Sequence, residues 1–186
     1  MNERQSLAEY DFALVLSHVD DATTKGADAL YAAGCDDATV SVRSGRVYVT
    51  FSRKAASMKD AILSAIKNVR SANIGADVLR IDECNLVTQA EIARKSGRSR
   101  QVINQYILGL RGPGGFPPPA CNICDEHPLW LWCEVSYWLW QNDMLKENVF
   151  REAETIDLVN SILELQSRKK LTPELTNEIM ESIETS

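Results

Sequence analysis

Apolar residues change their period several times along the first 83 positions. Residues 10–17 (YDFALVLS) form an apolar run of strand length, and residues 20–33 follow with Ala22, Ala29, Leu30 and Ala33 in a helical pattern. Gly34 is placed to end that helix, because glycine enters the left-handed region without steric cost. Val40 and Val42 then alternate with polar residues, Ser44-Gly45 supplies a two-residue turn, and Val47, Val49 and Phe51 alternate again, which predicts a β-hairpin. Ser57-Met58-Lys59-Asp60 resembles a capping box with Asp in place of the usual Glu, and the helix it opens carries Ala61, Ile62, Ala65, Ile66 and Val69 on one face. A last strand over residues 76–81 completes the order β-α-β-β-α-β. For residues 8–83 that order predicts a ferredoxin-like split sandwich, two helices covering one face of an antiparallel sheet.

The next segment has helical periods and glycine turns. Thr88 is placed to cap a helix whose inner positions are Ala90, Ile92 and Ala93, and Gly97 supplies a tight turn. Ser99 caps a second helix with Ile103, Tyr106, Ile107 and Leu110 on one face and Arg100, Gln101, Asn104 and Gln105 on the other. Two short helices joined by a glycine turn predict a helix-turn-helix, whose second helix lies in the DNA major groove with its N-terminal residues at the base edges. The outward residues suit base reading, because Arg pairs bidentately with guanine, and Asn or Gln with adenine.

Composition adjusts this picture. The 186 residues are 45% hydrophobic and 25% charged, a globular balance that excludes a disordered chain or a fibre. No apolar stretch approaches bilayer length, and the start MNERQSLAEYDF lacks a signal-peptide layout, so a cytoplasmic protein with no membrane partner is expected. The net charge of −6 argues against nucleic acid as a bulk number, yet the charge is partitioned. Between Val87 and Arg111, five bases (Arg94, Lys95, Arg98, Arg100, Arg111) face the single acid Glu91, a net +4. From Glu147 to Ser186, nine acids face four bases, a net −5. Five cysteines form an odd set in a chain expected to stay in the cytoplasm, which speaks against a disulfide framework.

Residues 86–145 resemble the helix-turn-helix regulators of the MerR and excisionase-like (AlpA-type) superfamily. The resemblance rests on Thr88-Gln89-Ala90-Glu91-Ile92-Ala93, on Gly97-Arg98-Ser99-Arg100, on the glycine- and proline-rich Arg111 to Pro117, and on Leu129-Trp130-Leu131-Trp132 leading into Glu134-Val135-Ser136-Tyr137-Trp138-Leu139. It implies a winged helix-turn-helix domain over 86–145. Two features depart from the pattern: Arg98 stands where such turns bury Val or Ile, and the wing is long and lacks a basic tip. The chain is thus expected to be α+β, with a ferredoxin-like domain, the winged domain and an acidic helical extension over 146–186.

The function expected is a sequence-specific regulator of transcription that binds double-stranded DNA, an autorepressor acting as a homodimer. Thr88, Gln89 and Ser99 would fix it on phosphates with help from Arg94, Arg98 and Arg111; Arg100, Gln101, Asn104 and Gln105 would face bases. No catalysis and no cofactor are expected. The alternative from another class is a protein-interaction module, such as an antitoxin or a defence-operon subunit, that neutralises or senses a partner through either end of the chain. Ligand sensing by the first domain is a third possibility.

Other candidate chemistry carries less. His18 has no nucleophile or metal partner to act with, and the acidic 17–21 loop does not suit acylphosphatase chemistry. Trp130, Trp132, Trp138 and Trp140 lack the interleaved bases of a single-strand binder, so core packing is expected of them. The 111–115 loop has no Lys followed by Ser/Thr, which excludes a P-loop and leaves a flexible connector. Cys121, Cys124, His127 and Cys133 have the ligand types of a structural zinc site. Against it stand the single CxxC, the His127-Pro128 step and a helix start at Cys133, and no metal is assigned. Residues 147–170 and 173–183 read as two helices, the second opened by Thr172-Pro173-Glu174 and carrying Leu175, Ile179, Met180 and Ile183. Such a hairpin packs on its own domain, pairs across a dimer or docks another protein.

Overall fold

The computed structural model describes residues 7–17, 24–121 and 127–185. Among them the chain is mixed α and β and divides into two compact units, one of residues 1–82 with 158–186, the other of residues 83–157. The expected extension over 146–186 does not stand apart as a third unit. Its first helix is continuous across position 157, so its two parts belong to different units.

The first unit holds β1 (Ala8–Leu16), α1 (Thr24–Ala32), β2 (Ala38–Arg43), β3 (Arg46–Ala55), α2 (Met58–Ser71) and β4 (Val78–Ile81). The four strands make one antiparallel sheet in the order β2-β3-β1-β4. The hairpin turn falls at Ser44-Gly45 as its sequence requires: both residues have positive φ, 48° and 74°, which matches the twist of the flanking strands. Along β3 the buried residues are Val47, Val49, Phe51 and Arg53, a strict alternation that puts one face of the strand inside. Phe12 pairs with Phe51 across β1 and β3, and their rings stack at 5.3 Å.

Helix α2 covers β1, β3 and β4 with the face the spacing predicts; Ala61, Ile62, Ala65, Ile66 and Val69 are all buried, with Met58. Ser57 caps it, accepting from the Asp60 amide at 3.1 Å while its hydroxyl donates to the Asp60 carboxylate. Of the predicted first helix, residues 20–23 lie outside the described residues, and α1 runs from Thr24; Leu30 is its buried anchor. The last strand is shorter than expected, four residues from Val78. It is an edge strand, and Asn160 pairs with its free backbone: Asn160 Oδ1 accepts from the Ile81 N–H at 2.7 Å and Nδ2 donates to the Ile81 carbonyl at 3.3 Å.

Arg53 is a buried cation that the alternation alone would not announce. It is 7% exposed and fully engaged: Nε and Nη2 donate to the two carboxylate oxygens of Asp37 at 2.8 Å, Nη2 also to the Gly34 carbonyl, and Nη1 to Ser64 Oγ. The bidentate fork offsets the cost of taking both charges out of water.

The second unit holds β5 (Leu86–Val87), α3 (Gln89–Ser96), α4 (Arg100–Ile107), β6 (Trp130–Leu131), α5 (Trp132–Gln141) and the start of α6 (Glu147–Leu171). Strands β5 and β6 pair antiparallel, and Cys121 bridges Leu129 beside them. One apolar cluster of Val87, Ile92, Ala93, Ile103, Tyr106, Trp130, Trp132, Val135, Trp138, Leu139 and Ala153 joins every element of the unit. In the first unit, α6 buries Leu163, and α7 (Pro173–Glu184) buries none of its residues.

Candidate nucleic-acid interface

Helices α3 and α4 are defined by their ends. Thr88 and Glu91 form a complete capping box: the Thr88 hydroxyl accepts from the Glu91 amide, and the Glu91 carboxylate accepts from the Thr88 N–H at 2.7 Å. These bonds from the Thr88 backbone, then from its hydroxyl, hold the Glu91 carboxyl below its ordinary value. Gly97 stops α3 at φ 66°, where a side chain would be strained. Two residues on, Ser99 caps α4 by accepting from the Val102 amide at 3.3 Å.

The outward face of α4 follows from which residues go inside. Ile103 and Tyr106 are buried, with Val102 and Ile107 partly so. Arg100, Gln101 and Asn104 are exposed and Gln105 is half-buried. At about 100° per residue these four lie within roughly 140° of the helix circumference. Gln89 on α3 is turned toward the start of α4, its Nε2 donating to the Arg100 carbonyl at 3.1 Å. Arg94, Arg100 and Arg111 are exposed and have no ion-pair partner among the described residues. Lys95 is spent on Glu83 and on the face of Trp132.

Arg98 differs from expectation. Its Nη2 donates to the Met144 carbonyl at 3.1 Å, its guanidinium carbon lies 5.9 Å from the Tyr106 ring centroid, and its Nε is buried with no partner among the described residues. The position faces the interior, so the long stem packs inward rather than reaching out. Two apolar assignments also change. Ala90 is exposed on α3. Leu110 is 74% exposed because α4 ends at Ile107, and the Leu110 N–H closes back onto the Gln105 carbonyl past Gly109 at φ 68°.

Tryptophans Trp130, Trp132 and Trp138 are buried, and Trp140 is half-buried with its ring stacked on Phe150 at 5.1 Å. Core packing thus accounts for all four. Two of them do more. The Trp138 indole N–H donates to the Gly114 carbonyl at 3.0 Å, and the Trp130 indole to the Pro117 carbonyl at 3.2 Å. Phe116 sits edge-on against Trp138. The glycine- and proline-rich loop is therefore fastened to α5 rather than free, a feature the composition hid.

His18 and Cys124 lie outside the described residues. Among the described residues no cluster of three His, Cys, Asp or Glu is placed to hold a metal. Cys133 is turned to a polar group of its own: its N–H donates to Asn85 Oδ1, and Asn85 Nδ2 reaches both the Cys133 sulfur and the Asp157 carboxylate. Burial pushes this thiol up from its ordinary value. In the first unit a surface cavity of about 630 Å³ is lined by Arg70, Asn73, Asp77, Gln166, Lys169 and Lys170 among others, but Arg70 is bound to Gln166 and Lys170 to Asp77. No described helix is long and apolar enough to cross a membrane.

No family model, curated protein or solved structure matches the chain.

Proposed function

We propose that this protein is a sequence-specific regulator of transcription that binds double-stranded DNA, an autorepressor acting as a homodimer. In this reading α3 and α4 form a helix-turn-helix, β5 and β6 the base of its wing, and the first unit a ferredoxin-like sandwich. The sheet order β2-β3-β1-β4 with two intervening helices supports the last assignment. The observation that carries the functional reading is the exposed set Arg100, Gln101 and Asn104 at the start of α4, on a helix whose opposite side is locked into the core by Ile103 and Tyr106.

Arg100, Gln101, Asn104 and Gln105 would read base edges in the major groove. Arg94 and Arg111 would contact phosphates, with the α3 and α4 N-termini at Thr88, Gln89 and Ser99 turned to the backbone. Arg98 supports the turn from inside. The acidic flanks oppose non-specific attraction, which leaves more of the binding to base contacts.

A mobility-shift titration against the DNA upstream of its own gene, at two salt concentrations, tests the reading. A salt-sensitive complex with one duplex, and weaker binding to scrambled sequence, is the expected result. If no duplex forms such a complex, the reading fails.

A further inference from the structure

Helix α6 is apolar on two opposite sides. From Ala153, Ile156, Asn160 and Leu163 it faces inward; Leu158, Ile162 and Leu165, at i, i+4 and i+7, lie about half a turn away and are 60%, 47% and 41% exposed. Helix α7 has a stripe of its own, Leu175, Ile179 and Ile183, which are 55%, 48% and 71% exposed. A helix of twelve residues that buries nothing is marginal in water, so its stripe calls for a cover.

We infer that the cover is a second copy of this chain, with α7 of each copy lying along the exposed α6 stripe of the other. Three observations single out that occupant. The stripes match in length, about 10 Å from Leu158 to Leu165 and about 12 Å from Leu175 to Ile183 at 1.5 Å per residue. They match in charge at one end: α7 carries Glu174, Glu178, Glu181 and Glu184 and no base, and α6, mixed overall with five acids and four bases, ends its stripe at Lys169, which has no ion-pair partner among the described residues. They also suit the size of an interface: the six residues expose roughly 600 Å² per copy over the two stripes, most of the ~800 Å² that each partner gives a stable interface. A two-fold axis makes the contact reciprocal, so each copy supplies one α7 stripe and one α6 stripe.

The inference deepens the homodimeric part of the proposed function and rests on that part alone. Sedimentation equilibrium of the full chain without DNA measures it, so a failed pairing and a failed DNA reading are seen separately. The wild-type chain is expected to be dimeric at micromolar concentration. Ile179→Asp with Ile183→Asp raises the dimer dissociation constant about 100-fold or more, with an unchanged tryptophan emission spectrum, since all four tryptophans lie in the other unit. Ile162→Ser on the facing stripe weakens pairing in the same direction. Lys169→Glu weakens it by about tenfold and adding Glu178→Lys restores it. A wild-type chain that stays monomeric at about 100 μM overturns the inference and assigns the stripe to a different protein, as an antitoxin-like role would require. A dimer indifferent to all of these substitutions overturns it too.

Discussion

The Gln89 side chain donates to the Arg100 carbonyl at 3.1 Å, so the first residue of α3 is tied to the first residue of α4. The bond crosses the Gly97 turn and fixes where the outward residues of α4 begin. In the proposed reading Gln89 is then a positioning residue, by holding the Arg100 backbone, as well as a proposed phosphate contact. Gln89→Ala is expected to weaken the preferred duplex about tenfold and to narrow the gap between preferred and scrambled sequence, read by fluorescence anisotropy on both. A loss equal on both duplexes would leave Gln89 a phosphate contact only.

In the proposed reading, Arg100 and Arg94 separate base reading from backbone attraction. Arg100→Ala is expected to cost about 1–3 kcal/mol on the preferred site and to relax discrimination at one base position. Arg94→Ala should weaken all sequences alike and lower the slope of log affinity against log salt by about one. Titrations at several salt concentrations on both duplexes distinguish these patterns.

Arg98 gives a prediction of the opposite kind. Its Nε is buried without a partner among the described residues, and its stem packs beside Tyr106. Arg98→Met keeps the packing and removes the orphaned Nε together with the Nη2 bond to the Met144 carbonyl, two opposing effects, so thermal stability should stay within about 1 kcal/mol of the wild type. Duplex affinity should stay within about twofold. A tenfold loss of affinity with stability intact would instead place Arg98 on the DNA.

Gly112 lies under the aromatic group that fastens the loop. It has φ 81°, and a Cβ there would meet the Tyr106 ring at 3.1 Å. Gly112→Ala is expected to destabilise the chain by about 1–3 kcal/mol, and Trp138→Phe, which loses the bond to Gly114, by about 1 kcal/mol. Urea unfolding measures both.

In the first unit, the Arg53 guanidinium holds the Asp37 carboxyl below its ordinary 3.8, chiefly through their hydrogen bonds. A depressed acid stabilises the fold fully above its unfolded value and loses that contribution as pH falls through the folded one. Stability should therefore drop below about pH 4, and less steeply in Asp37→Asn. Arg53→Met, which leaves Asp37 and the Gly34 carbonyl without their donor, should cost about 2–4 kcal/mol at neutral pH. Burial pushes Glu152 the other way, so Glu152→Gln serves as the control in which the acid loss grows. Thermal melts from acid to neutral pH test the set.

The sequence by itself determined what depends on near neighbours. The Ser44-Gly45 turn, the inward face of α2, the caps at Ser57 and Thr88 and the Gly97 stop were legible because each is set by residues within one or two turns of backbone. The residues proposed to meet DNA were legible for the same reason, since a helix fixes which side chains share a face. Tertiary structure decided the rest, because it depends on what arrives from far along the chain. Only the packing of Tyr106 and the closeness of Met144 turn Arg98 inward, and only α5 fastens the loop through Trp138. Arg53 reads as one more polar residue of an alternating strand until Asp37, Gly34 and Ser64 surround it. The same limit applies to α7: its amphipathic pattern was plain, but that none of its residues is buried among the described residues emerges only from the tertiary structure.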